Sequence, residues 1–108
     1  MFGLVGGPQT AAYATAKGAV VNFTRTTAVD YADAGVRVNS ICPGFVETEM
    51  TASELNDDSF YEFVLSQTPI GRIAEPEEIA EPAAFLVSDK ASYITGVNLS
   101  IDGGWTTH

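Results

Sequence analysis

Tyr13 and Lys17 are the residues whose types and spacing first suggest chemistry. They stand four positions apart in "QTAAYATAKGAV", so on a helix both side chains would lie on one face. A phenol has an unperturbed pKa of about 10, and a neighbouring ammonium lowers that pKa by favouring the phenolate. Such a pair could exchange a proton with an alcohol or carbonyl oxygen. Since this spacing occurs in many helices, a surface tyrosine beside a lysine is the favoured interpretation of the pair alone.

The second stretch of interest is "NSICPGFVETEM", where a predicted strand stops at Pro43 and Gly44. Open α/β sheets bind ligands at the carboxyl ends of their parallel strands. Gly44 would let a ligand approach the backbone, and Thr48 could offer its hydroxyl to an amide or a phosphate. Taken alone, however, the stretch is explained better by a plain turn between a strand and a loop.

The remaining polar groups suggest structural roles. "ASYITGVNLSIDGGW" contains nothing reactive and is interpreted as a structural final strand, with Asp102 and His108 exposed to solvent or bonded to backbone. Cys42 lies in the apolar run "VRVNSICPG", which indicates a buried thiol rather than a nucleophile. One histidine and one cysteine argue against a tetrahedral zinc site of the usual kind.

Periodicity and breaker residues predict alternating helices and strands. In chain order the predicted elements are a helix over 11–34 that Thr10 could cap and Gly35 would stop, a strand over 36–42, a loop over 45–50, helical segments over 51–67 with a break at 56–59, a helix over 76–88, and a strand over 97–101. Pro82 should kink the helix over 76–88 or shorten its first part. Two strands joined through helices should be parallel, with a right-handed crossover, which gives an α/β fold.

Composition limits the classes of partner. The 108 residues allow at most one domain, and a hydrophobic content of 45% allows a core. A net charge of −9 argues against binding nucleic acid or an anionic membrane surface. No apolar stretch approaches the length of a membrane span, and "MFGLVGG" is too short for a signal peptide and carries no basic residue, so none is expected there. We therefore expect a cytoplasmic protein. The acidity would also suit a high-salt source, but an ordinary acidic cytosolic enzyme explains it at least as well.

Three segments together make a specific pattern. "YATAK", "VRVNSICPGFVETEM" and "PEEIAEPAAFLVSDKASYITGVNLSIDGGW", in that order, resemble the carboxyl-terminal part of the short-chain dehydrogenase/reductases over nearly the whole chain. The resemblance implies that residues 1–108 are a single partial domain, the carboxyl-terminal portion of a doubly wound Rossmann-type fold. It also implies hydride transfer between NAD or NADP and a small secondary alcohol or ketone.

The resemblance implies roles for individual residues. Tyr13 matches the catalytic acid/base, and Lys17 matches the residue that lowers the tyrosine pKa and hydrogen-bonds the nicotinamide ribose. Asn39 does not match the catalytic asparagine of the family, which belongs to an upstream segment. The loop that touches the nicotinamide end of the cofactor is matched by Pro43, Gly44, Val46 and Thr48. Residues from about 45 to 67 match the variable substrate-binding lid, and we call them the lid segment.

Several parts of the family pattern are not found in this sequence. They are the glycine-rich phosphate loop G-x-x-x-G-x-G, the NAD/NADP selector, the N-A-G segment and the catalytic serine, which is expected just upstream of Met1. "GLVGGP" does not match the phosphate loop, because no strand precedes it and its spacing is wrong. The alternative to an oxidoreductase is thus a truncated, non-catalytic assembly module that self-associates or pairs with an amino-terminal half. A homo-oligomer is expected, because a strand edge and apolar helix faces would be exposed in a monomer.

Overall fold

The computed structural model describes residues 1–107, so the expectation for His108 lies outside the described residues. The main elements are α1 (Ala11–Asp30), β1 (Ser40–Pro43), α2 (Glu49–Leu55), α3 (Asp58–Gln67), α4 (Pro76–Val87) and β2 (Asn98–Ile101). Short 3-10 turns cover Ala32–Ala34, Asp89–Ala91 and Trp105–Thr107. The α/β order predicted from the sequence is confirmed.

The two strands pair in parallel, as predicted, with a register that runs from Ser40 opposite Asn98 to Pro43 opposite Ile101. Within residues 1–107, β2 is the sole partner of β1, so the other edge of β1 is unpaired. β1 is shorter than the predicted strand over 36–42. The reason is that side chains replace ladder bonds just before it: the backbone N–H of Val38 donates to Thr95 Oγ1, and that of Val97 donates to Asn39 Oδ1.

The ends of α1 differ from the prediction at both sides. Thr10 occupies the N-cap position, but its hydroxyl donates to the carbonyl of Gly7 at 2.8 Å and does not cap the helix. The α-helix ends at Asp30, and a 3-10 turn carries the chain to Gly35. Gly35 has a φ of 74°, and this left-handed conformation makes it the stop that the sequence predicted.

The two helices of the lid segment are separated as predicted. α2 ends at Leu55, and α3 begins at Asp58, where the carboxylate of Asp57 accepts from the backbone N–H of Phe60 at 3.0 Å. α2 begins at Glu49, inside the stretch predicted as a loop, because Thr48 caps it.

α4 begins as predicted, with Pro76 in the first turn and the side chain of Glu78 accepting from the backbone N–H of Glu75 at 2.9 Å. The helix continues through Pro82 to Val87, so Pro82 does not shorten it, and the alternative expectation of a kink stays a prediction. Pro82 lies one turn beyond Glu78, and its missing N–H costs a single intrahelical bond to that carbonyl. Among residues 1–107, no helix combines the length and apolar character that crossing a membrane requires.

The core is small and is formed by residues of α1, β1, α3, α4 and the segments that follow α3 and α4. Its buried apolar residues are Val21, Ala28, Cys42, Val64, Ile73, Leu86 and Ala91. Cys42 is a free, buried thiol, as predicted. Several large apolar side chains of α1 remain exposed, among them Val20 and Phe23.

Candidate functional site

Tyr13 and Lys17 lie together on α1, as the four-residue spacing predicts. The Lys17 Nζ atom is 5.3 Å from the centroid of the Tyr13 ring, which is within the range of a cation–π interaction. Tyr13 is 54% exposed, so its side chain is open to a ligand from solvent.

The first residues of the chain pack against this part of α1. The Phe2 ring meets the Tyr13 ring edge to face, with centroids 6.1 Å apart. A Cβ on Gly3 would lie 2.6 Å from the carbonyl oxygen of Lys17, and one on Gly7 would lie 2.8 Å from the Phe2 ring. Two glycines of the stretch "GLVGGP" are thus explained by packing against α1 and Phe2.

The amino group of Met1 bonds to the carboxyl end of β1. It donates to the carbonyl of Pro43 at 2.8 Å. Its pKa lies below the ordinary value, chiefly because burial disfavours the charged form, and the positive charge of Lys17 lowers it further against the raising effects of Cys42 and Asp102. The end of β1 thus bonds to the first residue of the chain, next to Phe2, whose ring packs on Tyr13.

Gly44 packs closely against another part of the chain. A Cβ on Gly44 would lie 2.8 Å from the Cα of Asp102 and 3.2 Å from the Asp102 carbonyl oxygen. The Gly44 N–H donates to the carbonyl of Ile101 at 2.9 Å, which continues the pairing of the strands. The absent side chain makes room for the backbone that follows β2, and the expected approach of a ligand to Gly44 stays a prediction.

Thr48 has a structural role that was not predicted from the sequence. It is the N-cap of α2, and its hydroxyl lies 3.1 Å from that of Thr51 and accepts from the Thr51 N–H at 3.4 Å. The Thr51 hydroxyl also donates to the carbonyl of Val46. Val46 forms an isolated parallel bridge with Ala74. The T-x-x-T spacing was the available signal for this capping box.

Four aromatic rings form a cluster above the carboxyl ends of the strands. The Phe45 ring lies 5.6 Å from that of Phe60 and 5.3 Å from that of Trp105, and Phe63 lies 6.1 Å from Trp105. The sequence left open whether Phe45, Met50, Phe60, Tyr61 and Phe63 line a substrate site or pack the lid segment. Three of them pack together with Trp105, which the sequence analysis did not single out, whereas Met50 is 87% exposed.

Asp102 and Asn39 bond mainly to backbone. The Asp102 carboxylate accepts from the N–H of Gly104 and of Thr106, each at 3.1 Å, and from the Thr106 hydroxyl at 2.6 Å. The prediction that Asp102 is a backbone-bonding group is confirmed. The Asn39 side chain donates to the carbonyl of Ile94 and accepts from the backbone N–H of Val97.

A protein-family model described as enoyl-(acyl carrier protein) reductase matches residues 1–106. Among similar proteins, 2-(S)-hydroxypropyl-CoM dehydrogenase 3 of Xanthobacter autotrophicus is 50% identical, over 96% of this chain and 42% of its own length. Inactive 2-(S)-hydroxypropyl-CoM dehydrogenase 2 of the same organism is 49% identical, over 96% of this chain and 47% of its own length. The chain thus spans less than half of the relatives that it matches.

Solved structures also match nearly the whole of this chain. A 4-hydroxyisoleucine dehydrogenase complexed with NADH matches with a TM-score of 0.96 and 34% identity, over 99% of this chain and 44% of its own. A protein from Agrobacterium tumefaciens with bound NADP matches with a TM-score of 0.95 and 36% identity, over the same two shares. The relatives found by sequence and those found by structure are therefore both dehydrogenases.

Proposed function

The chain belongs to the short-chain dehydrogenase/reductase family, and from that membership we propose that it forms the carboxyl-terminal part of an NAD(P)-dependent oxidoreductase. The substrate class is a small molecule with a secondary alcohol or ketone. We further propose a cytoplasmic location, which agrees with the acidic composition.

The observation that carries this proposal is the position of the Lys17 ammonium, 5.3 Å from the centre of the Tyr13 ring, on an exposed part of α1. In alcohol oxidation, the Tyr13 oxygen accepts the hydroxyl proton of the substrate, and in ketone reduction it donates that proton. A positive charge beside a phenol stabilises the ionised form that must exist during this transfer. Tyr13 is the proposed acid/base, and Lys17 supplies that charge.

The residues present fit the nicotinamide half of the cofactor. Within residues 1–107, Lys17 takes part in no ion pair, so its ammonium can donate to a ribose hydroxyl. The proposed nicotinamide loop, Pro43, Gly44, Val46 and Thr48, begins at the carboxyl end of β1, where such folds bind ligands. When bound, the nicotinamide supplies the hydride acceptor or donor. Structures of relatives hold NADH in one case and NADP in another, so we propose NAD or NADP without choosing between them.

A second candidate function is a non-catalytic assembly module that self-associates or pairs with an amino-terminal half. One relative of nearly equal similarity is named as inactive. The unpaired edge of β1 and the exposed apolar side chains of α1 favour assembly in either case. We therefore propose a homo-oligomer.

The test is an assay of the purified chain with both cofactors and a panel of secondary alcohols and ketones, with and without an added amino-terminal half of a relative. We expect no turnover by the chain alone, because the described residues hold no glycine-rich turn between a strand and an α-helix for the cofactor phosphates. With the added half we expect turnover, which Tyr13→Phe should abolish. The control is Tyr93→Phe, which removes the hydroxyl of a fully exposed tyrosine.

Turnover that survives Tyr13→Phe would refute the proposed role of Tyr13. If every combination is inactive although the two halves bind each other, the assembly module becomes the better assignment.

A further inference from the structure

The turn Asp102–Gly104, which follows β2, contacts the chain at both ends of the lid segment. At the amino-terminal end, Gly44 immediately precedes Phe45, and a Cβ on Gly44 would lie 2.8 Å from the Cα of Asp102. The backbone of Gly44 packs on the backbone of Asp102, so neither residue can move without displacing the end of a strand.

At the carboxyl-terminal end, the same turn packs on Thr68 and Pro69, which immediately follow α3. A Cβ on Gly103 would lie 2.6 Å from Thr68 Cγ2, and one on Gly104 would lie 2.9 Å from Pro69 Cγ. The N–H of Ile70 donates to the carbonyl of Gly103 at 3.1 Å. Both glycines have positive φ angles, 63° and 92°, so glycine is required here by conformation as well as by space.

Trp105 extends the contact onto the lid segment itself. The backbone N–H of Trp105 donates to the Asp102 carbonyl at 3.1 Å, so the turn fixes the position of the Trp105 backbone that carries the indole. The ring then contacts Phe45, at the start of the lid segment, and Phe63, on α3. One short stretch of chain therefore contacts the residues that flank the lid segment on both sides, and also its first residue and one of its helices.

We propose that residues 102–105 are a positioning element that anchors the lid segment at both ends, with Trp105 as the residue that fixes its aromatic side above the strand ends. The proposal rests on the proposed function only in taking residues 45–67 to be a substrate lid. Its test requires neither cofactor nor substrate. A protein without activity would therefore not refute the anchoring of the lid segment, and a lid segment without this anchor would not refute the proposed activity.

The experiment is amide hydrogen exchange of the full chain, read by mass spectrometry for peptides of α3 and of α1. Gly103→Ala should speed exchange in α3 by roughly tenfold or more and leave α1 unchanged, because it loosens the lid segment locally. Gly71→Ala is the matched control: its φ of 78° imposes similar strain in the connector on which Gly103 packs, but a Cβ there meets nothing within 4 Å. We expect little change from it.

A rescue variant tests the contact between position 103 and the Thr68 methyl group. Thr68→Ser combined with Gly103→Ala removes Cγ2 but retains the hydroxyl that donates to the carbonyl of Val64 at 2.7 Å. We expect exchange in α3 to return toward the rate of the Thr68→Ser variant. Equal acceleration by Gly71→Ala and Gly103→Ala, or a double variant as fast as Gly103→Ala, would overturn the proposal.

If Gly103→Ala does not fold, Trp105→Ala gives the second test, because it introduces no clash. It should speed exchange in α3 but not in α1, whereas Tyr93→Ala, which removes a fully exposed ring, should affect neither helix. Unchanged exchange in α3 of the Trp105→Ala variant would overturn the proposal as well.

Discussion

The guanidinium of Arg37 donates to the carbonyl of Leu86 at 2.8 Å, although the two residues are 49 positions apart. The same side chain donates to the carbonyls of Ile94 and Ser88, each at 3.2 Å. It thus supplies donors to the carboxyl end of α4, where carbonyls lack helical partners and a positive charge is favourable. One side chain before β1 joins the end of α4 to the segment that leads into β2.

We predict that Arg37→Lys lowers the free energy of unfolding by about 1–3 kcal/mol, because a lysine ammonium cannot reproduce the planar fork that serves three carbonyls. Urea unfolding measures the change. Arg25→Lys is the control, since Arg25 is exposed on α1. Equal effects of the two substitutions would show that the fork of Arg37 has no special importance.

Gly44→Ala should destabilise the protein by about 1–3 kcal/mol, because the added Cβ must displace the backbone of Asp102. Gly6→Ala is the matched control, since a Cβ there meets nothing within 4 Å and Gly6 has no positive φ. Thermal melts of the two variants compare them directly. A Gly44→Ala protein as stable as Gly6→Ala would contradict the packing described for this loop.

The ion pair of Arg72 and Glu78 should give a measurable pH dependence. Hydrogen bonds from the Arg72 guanidinium, and then from the backbone N–H of Glu75, lower the pKa of Glu78 from 4.5 to about 2. A lowered pKa in the folded state stabilises the protein above the unfolded value of 4.5, and this contribution disappears as the pH falls toward about 2.

We therefore expect the melting temperature of the native chain to exceed that of Glu78→Gln at pH 6, with the difference shrinking below about pH 4.5 and vanishing near pH 2. The difference should be small, because both side chains are about half exposed to solvent. Carboxyl titration by NMR should place the midpoint of Glu78 near 2, and closer to 4.5 in Arg72→Met. An unchanged midpoint in Arg72→Met would contradict this assignment.

Stability should rise with ionic strength. The chain has 14 acidic and 5 basic residues, and Arg72 with Glu78 is the sole ion pair among residues 1–107, so repulsion between carboxylates dominates. Thermal melts in potassium chloride should show a higher melting temperature, with most of the rise complete by about 1 M, where the screening length is about 3 Å. A melting temperature that stays flat or falls would be evidence against this.

Self-association should involve the exposed apolar side of α1. Phe23 is 68% exposed and Val20 is 52% exposed, three positions apart on the helix. Sedimentation at micromolar concentration should detect an oligomer, and Phe23→Lys should shift it toward the monomer. Asn22→Lys adds the same charge at the neighbouring exposed position and should not do so. A stable, folded monomer of the native chain would refute the homo-oligomer.

The sequence by itself determined the features that depend on neighbours along the chain. A four-residue spacing puts Tyr13 and Lys17 on one side of α1 because the helix repeats every 3.6 residues. Breaker residues located the gap between α2 and α3, and Gly35 located a helix stop. Helices between two strands predicted parallel pairing, since such a connection must cross over.

Only the tertiary structure decided what each local feature contacts. Gly44 is a ligand-facing glycine by sequence, and the structure adds that the backbone of Asp102 occupies the space beside it. Thr48 is a ligand donor by sequence, and the structure adds that its side chain caps α2. Arg37 and Trp105 carry no signal in sequence, because their partners belong to segments that only folding brings near. Side-chain type and spacing constrain a helix or a strand, whereas the atom opposite a given side chain depends on how distant segments pack together.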